Sequence, residues 1–349
     1  MQLNQEVHLR QVLLLGSVPL SDSKQVFETV AKILNGSVKR IPDGETGPRT
    51  FWMRWQGAVF SDNAQFEPAS TTSTTHAQGY TYQHYRVRAG VGPGSLRIEP
   101  LGYARHAKAS YGIFASLKQA GVIARDIRFQ VCMATPLAHL WAYVDPDHQP
   151  VVEQPLLAAF ANEIEEILAV VPAAELAIQW DMPHDILSIE GNRKLHVDVS
   201  RAGLQQRWSR LVEKIPAAAE LGFHFCYGDS GGKHSIEPRD TKVMADFAND
   251  LTAAIARAIS YFHFPVPIER SDEGFFAPLK TLNLTHGTEL FLGLVHPQDG
   301  VEGARRRIAA ASTAMSDFGI GTECGFGRRD PATIFPLLRL HADIAALAG

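Results

Sequence analysis

The sequence predicts an α/β protein: a single (β/α)8 barrel of the TIM type over residues 1–349, with a long insert after the second strand and an extended loop after the fifth. Three observations predict it. Short apolar runs alternate with amphipathic helical patterns along the whole chain, which indicates a parallel sheet covered by helices. The alternation repeats eight times, favouring a closed barrel over an open sheet. No linker divides the pattern into two halves, and no internal repeat is visible.

The units follow in order. QVLLLGSV is the first strand, and Val26, Phe27, Val30, Ile33 and Leu34 share one face of the helix behind it, which Asn35-Gly36 stops. SVKRIPDGE is the second strand. The stretch from Thr46 to Leu101 carries no regular pattern; so long a connection inside a compact unit is a functional lid or a disordered insert. A helix over YARHAKASYGIFASLKQAG follows. RFQVCMAT is the third strand, with Leu157, Phe160, Ile164 and Ile167 aligned on its helix, and ELAIQWD the fourth, with Leu204, Trp208, Leu211 and Ile215. LGFHFC is the fifth; a Gly-rich loop over 227–240 separates it from a helix bearing Val243, Phe247 and Leu251. FPVPIE is the sixth, and its Pro265 and Pro267 each remove a ladder donor, so it is short or bulged; a short segment near FFAPLKTL follows it. ELFLGLVH and GIGTEC, each followed by a helix, complete the set.

The bulk composition narrows the function. The chain is 45% hydrophobic and 20% charged with net charge −4, which lacks the basic excess a nucleic-acid partner calls for. No apolar run approaches the roughly 20 residues of a membrane span, and MQLNQEVHLRQV lacks the layout of a signal peptide. A cytoplasmic location is expected. Three cysteines, Cys132, Cys226 and Cys324, are too few for a disulfide framework and invite a metal or catalytic reading.

Barrels of this class keep their chemistry at the C-terminal ends of the strands. Here those ends carry Gly16-Ser17, Asp43-Gly44-Glu45, Asp181, His224 with Cys226, Glu269, His296, and Glu323-Cys324. His224 and Cys226 lie two residues apart, so a strand aims both to one side. Two thiolates, an imidazole and a carboxylate form a tetrahedral set suited to zinc, and His224, Cys226, Cys324 and Glu269 supply it. Taken singly, each has a plainer use: His224 and Cys226 as core residues, Glu269 as a partner for Arg270, Cys324 as a small hydrophobe. Their convergence on strand ends favours the metal. Cys132 has no second ligand near it in the pattern.

HFC at 224–226, IERSDE at 268–273 and ECGFGRR at 323–329 resemble the zinc-binding segments of the cobalamin-independent methionine synthase family, in its C-terminal catalytic barrel. LGSVP at 15–19, DGE at 43–45 and IQWDMP at 178–183 are similar to that family's amino-acid-binding segments. The resemblance implies zinc on His224, Cys226, Glu269 and Cys324, with Glu269 the labile arm. It also implies that Gly16, Ser17, Glu45 and Asp181 hold homocysteine. There are departures: a single barrel, a wider spacing between Cys226 and Glu269, DMP in place of the family's Asp-Glu-Pro, and only a loose match at LVHPQDG.

The expected reaction is zinc-dependent transfer of a methyl or related alkyl group to a thiol, homocysteine giving methionine, from a methyl donor such as a folate. A ligand sphere rich in negative charge makes zinc a weak Lewis acid toward water but leaves a bound sulfur nucleophilic. A nitrogen leaving group needs a proton, and His296 is the candidate acid, with Asp299 second. Lys233, His234, Arg239, Arg328 and Arg329 are candidates for an anionic substrate tail, and Trp52 and Trp55 for stacking on a flat donor or for core packing. Three alternatives stay open: an epoxide-opening, coenzyme M-type thiol alkyltransferase; a zinc-binding barrel without catalysis; and a metal-free, decarboxylase-like barrel.

Overall fold

The structure is a computed structural model and describes residues 9–74, 81–92, 94–228 and 233–347. An extended segment over 11–18 leads into helix α1 (Ser23–Ile33), whose N-cap Asp22 accepts a hydrogen bond from the Gln25 N–H. Then come β1 (Arg40–Pro42), the single turn α2 (Ala58–Ser61), and β2 (Phe66–Thr74) with β3 (Thr81–Val87). The middle of the chain runs α3 (Tyr103–Gln119), β4 (Arg128–Ala134), α4 (Pro136–Tyr143), α5 (Gln149–Leu168), β5 (Leu176–Asp181), α6 (Pro183–Ile189) and α7 (Arg201–Leu211). It ends with β6 (Glu220–His224), α8 (Lys242–Ala254), β7 (Tyr261–Pro265), α9 (Glu273–Phe276), β8 (Glu289–Gly293), α10 (Gly300–Ser312), β9 (Gly319–Ile320) and α11 (Ile334–Ala345).

Seven strands form one parallel sheet in the order β1-β4-β5-β6-β7-β8-β9. The sheet curls into a half-barrel consistent with a TIM-like barrel. Eight strands were expected, and the difference lies in the first. Segment 11–18 joins β9 through the bridge Val12↔Ile320 and Gly44 through the bridge Ser17↔Gly44, without a continuous ladder on either side. Its neighbours explain this, since β1 spans three residues and β9 two.

Every residue of β5 and β7 is buried, as expected for strands covered on both faces. Outside the sheet, Trp180 of β5 meets Trp208 of α7 edge-to-face at 5.2 Å. Inside, Leu13, Leu15, Tyr261 and Phe291 form a separate apolar cluster. Arg40 is 1% exposed beside that cluster: it bonds Glu220 at 2.7 Å and Glu289 at 2.8 Å, with its guanidinium 4.4 Å from the Tyr261 ring centroid. One buried cation thus ties the starts of β1, β6 and β8 together.

Two further expectations are adjusted. β7 begins at Tyr261, ahead of the predicted FPVPIE, and ends at Pro265, so Pro267 lies beyond the ladder. The stretch over 46–101 holds an antiparallel hairpin, β2 with β3, whose register shifts between Pro68 and Thr72. Its alternation was hidden because polar side chains fill buried positions, Ser73 and His84, as well as the exposed ones at Ser70, Thr71 and Thr72. Residues 75–80 and 93 of this insert, 229–232 of the loop after β6, and 1–8, most of the segment MQLNQEVHLRQV, lie outside the described residues.

Candidate metal and substrate site

His224 closes β6 and Cys226 follows two residues later, while Cys324 comes four residues after β9 ends. Their ligating atoms all lie within 4.8 Å of one another. His224 and Cys226 are buried and Cys324 is half-buried. The backbone N–H of Gly228 donates to the Cys226 sulfur at 3.3 Å. His224 Nδ1 stands 2.9 Å from Nδ1 of His263, and its Nε2 is buried with no hydrogen-bond partner among the described residues. An orphaned imidazole nitrogen facing two thiols is a donor set suited to zinc.

Glu269, the expected fourth ligand, is not in this group. It is exposed and lines a neighbouring cavity. The reason is local: β7 stops at Pro265, and a turn closed by the Arg270 N–H on the Pro267 carbonyl, 2.9 Å, follows at once.

Ser17, Glu45 and Asp181 line the same small cavity, about 130 Å³, as His224, Cys226 and Cys324. The Ser17 hydroxyl donates to the Glu45 carboxyl. Gly16 has φ +105°, and a Cβ there would lie 3.2 Å from both the Cys132 sulfur and Glu45 Oε2. Glu45 itself has φ +46°, a conformation costly for a side-chain-bearing residue. Asp43 holds this turn, accepting from the Glu45 N–H at 2.9 Å, Arg49 Nη2 at 2.7 Å and the Ser110 hydroxyl at 2.7 Å.

Burial, reinforced by Asp181, pushes the Glu45 carboxyl up to about 8 against the lowering effect of the Ser17 hydroxyl. Burial also lifts Asp181 to about 6, opposed by His224 and by hydrogen bonds from Gln179 and Trp52. At neutral pH the pair therefore carries close to one negative charge. Burial raises the Cys132 thiol well above its usual range, and Cys132 lies outside the group formed by His224, Cys226 and Cys324.

The two tryptophans part company. Trp52, at φ +56°, stacks on His184 at 6.1 Å in the cavity wall, and His184 in turn packs 4.6 Å from Trp141. Trp55 packs edge-on against Tyr103 and His106 instead.

A second, larger cavity of about 1120 Å³ shares Cys324, Gly325 and Arg328 with the first. His296 lines it. Its Nε2–H donates to the Val266 carbonyl at 2.9 Å and its Nδ1 stands 3.7 Å from Glu323 Oε2. Burial, with Arg307 adding to it, lowers His296 to about 4. His234 approaches the other Glu323 oxygen at 3.3 Å. Asp299 is committed to Arg307 through two hydrogen bonds of 2.7 and 2.8 Å, a structural role. Lys233, His234, Arg328 and Arg329 line this cavity; Arg239 lines neither.

Sequence reasoning missed His263, His184 and Trp141. His263 had a readable signal, a lone polar residue inside the apolar run YFHFP. The other two sit on helices α6 and α4, whose approach to the site no local pattern announces.

No family model matches the chain, and no curated protein matches its sequence. Among solved structures it is similar to a B12-independent methionine synthase from Shewanella sp. W3-18-1 in complex with selenomethionine, with TM-score 0.60 and 14% identity over 97% of this chain and 96% of that one. The likeness is one of fold. Among the described residues no helix is long and apolar enough to cross a membrane.

Proposed function

We propose that this protein is a zinc-dependent transferase that moves a methyl or related alkyl group onto the sulfur of a small thiol, with homocysteine giving methionine as the favoured reaction. The observation that carries the reading is that His224, Cys226 and Cys324 bring their ligating atoms within 4.8 Å in the cavity that also presents Ser17, Glu45 and Asp181. The full-length fold likeness to a methionine synthase bound to selenomethionine agrees with it.

In this reading His224 Nε2 and the sulfurs of Cys226 and Cys324 would hold the metal, and no fourth protein ligand joins them among the described residues. Three protein ligands with an open position distinguish a catalytic zinc site from a closed structural one. Bound zinc would keep the substrate sulfur as a thiolate at neutral pH. Asp181 and Glu45 take the substrate ammonium, and the Trp52–His184–Trp141 wall excludes water beside it. Glu269 stays outside the resting ligand set.

The larger cavity receives the alkyl donor, and His296 relays the proton that its leaving group needs, taking it up on Nδ1 from solvent because the resting ring proton is on Nε2, held by the Val266 carbonyl. The carbon–donor bond breaks as the carbon–sulfur bond forms; the thiol proton goes to solvent and the donor atom gains one. Segment 11–18 is read as the eighth stave that completes the barrel, and the chain as one catalytic unit working in the cytoplasm.

A second reading draws on Arg54, Arg193 and Arg328, which line the small cavity as well. They suit a sulfonate-bearing thiol of the coenzyme M type, whose sulfur opens an epoxide: the carbon–sulfur bond forms as the ring carbon–oxygen bond breaks, and the oxygen takes the proton. One experiment separates the two. Zinc-loaded protein is titrated with homocysteine and with 2-mercaptoethanesulfonate while X-ray absorption follows the zinc shell. A sulfur gained only with homocysteine supports the favoured reading, and one gained only with the sulfonate supports the second. A shell indifferent to both thiols defeats alkyl transfer and leaves a non-catalytic zinc barrel.

A further inference from the structure

His224 and His263 are register partners on adjacent strands, β6 and β7, and their side chains meet on one face of the sheet. Both are buried, at 2% and 0% exposure, with ring centroids 4.8 Å apart. The 2.9 Å contact joins Nδ1 to Nδ1. Two imidazole nitrogens bond only if one carries a proton and the other offers a lone pair. Two arrangements therefore exist. When His224 donates, its proton is on Nδ1 and its Nε2 is a bare lone pair. When His263 donates, His224 carries its proton on Nε2 and has no lone pair to offer there.

His224 Nδ1 is occupied by this contact, so Nε2 is the nitrogen available to a metal, and it is the one without a hydrogen-bond partner. We infer that His263 is a positioning residue, which accepts the Nδ1 proton of His224 and so holds His224 in the tautomer that ligates through Nε2. The inference rests on the metal reading above. No other hydrogen bond to the His224 ring occurs among the described residues, so the orientation of the ligand depends on His263. An acceptor behind a metal-bound histidine raises its basicity and fixes its plane, and removing such a partner typically weakens metal binding by about 10–100-fold.

The test compares zinc affinity, by competition with a chromophoric chelator, in wild-type protein, His263→Leu and His263→Gln. Leucine offers no acceptor, whereas the glutamine amide oxygen can accept the Nδ1 proton. Expected are a 10–100-fold loss for H263L and substantial recovery for H263Q. Melting of the metal-free proteins separates loss of fold from loss of ligand orientation. Imidazole ¹⁵N NMR of zinc-loaded wild-type protein reads the tautomer directly, and a His224 proton on Nδ1 is expected. If H263L does not fold, that spectrum decides alone. A His224 proton on Nε2, or a folded H263L that binds zinc as tightly as wild type, overturns the role of His263 while leaving the metal reading intact. Wild-type protein that takes up no zinc overturns both.

Discussion

Ser17 and Glu45, 28 residues apart in the chain, are joined side chain to side chain, the hydroxyl donating to the carboxyl. The bridge between Ser17 and Gly44 brings the two segments together, and the positive φ of Gly16, Gly44 and Glu45 turns them into the cavity. The result is a carboxyl group that burial keeps protonated up to about pH 8 and that still faces the cavity proposed for an amino acid.

That carboxyl sets a pH dependence. Pairing with a substrate ammonium requires Glu45 to lose its proton, so binding releases one below pH 8. Affinity should rise toward tenfold per pH unit between 6 and about 8, then level off. Methionine is the ligand to use, since it has no thiol proton of its own to lose. Calorimetry in two buffers of different ionisation enthalpy counts the proton. Flat affinity over this range would count against Glu45 as the ammonium partner.

The same group affects stability. Its folded-state pKa is raised, so the folded protein holds the proton more tightly than the unfolded chain does. Stability should therefore fall as pH climbs from the ordinary carboxylate range to about 8. Glu45→Gln should flatten this slope, with melting curves at pH 5 and pH 9 as the measurement. Parallel slopes for variant and wild type would contradict the assignment.

Removing a thiol should remove the metal. Cys226→Ser and Cys324→Ser are each expected to weaken zinc binding by at least about 100-fold, on the order of 3 kcal/mol, because serine oxygen is a poor ligand for zinc. Cys132→Ser should leave it unchanged. Equal zinc content in all four proteins after dialysis against a chelator would defeat the proposed ligand set.

Glu269 offers a sharp discrimination between resemblance and geometry. The family pattern makes it a ligand, whereas here it is exposed and faces the larger cavity. Glu269→Gln is expected to change zinc affinity by less than about threefold, well under a lost ligand's effect. A loss as large as that of C324S would return Glu269 to the metal.

His296 should matter to turnover and not to assembly. Its Nδ1 stands beside Glu323 in the wall of the larger cavity, which Cys324 also lines, and His296 is not one of the three grouped ligands. His296→Asn is expected to lower alkyl transfer by about 10²–10⁴-fold, with zinc content and methionine affinity retained. Unchanged turnover would exclude it as the proton donor.

The alternation of apolar runs and amphipathic helices was enough to place β4, β5, β6 and β8 and the long helices, because buried parallel strands and their covering helices each leave a periodic trace. His224 and Cys226 were legible as a pair, since strand alternation sends residues two apart to one side. Glu269 was not: its chain neighbours look like a strand end, but Pro265 and Pro267 end the ladder early and the turn at Arg270 carries the side chain outward. His184 and Trp141 were invisible for a related reason, since helix periodicity reports which face is buried and never which cavity it borders.

By itself, then, the sequence determined an α/β class built on a parallel sheet, the order of most of its strands and long helices, and the pairing of His224 with Cys226 on one side of a strand end. The tertiary structure alone decided that three of the four expected ligands converge, that Ser17 bonds Glu45, and that His263 stands behind His224. Local periodicity is written in neighbouring residues, whereas these meetings depend on the curl of the sheet and on where each strand stops, which are set by contacts between residues far apart in the chain.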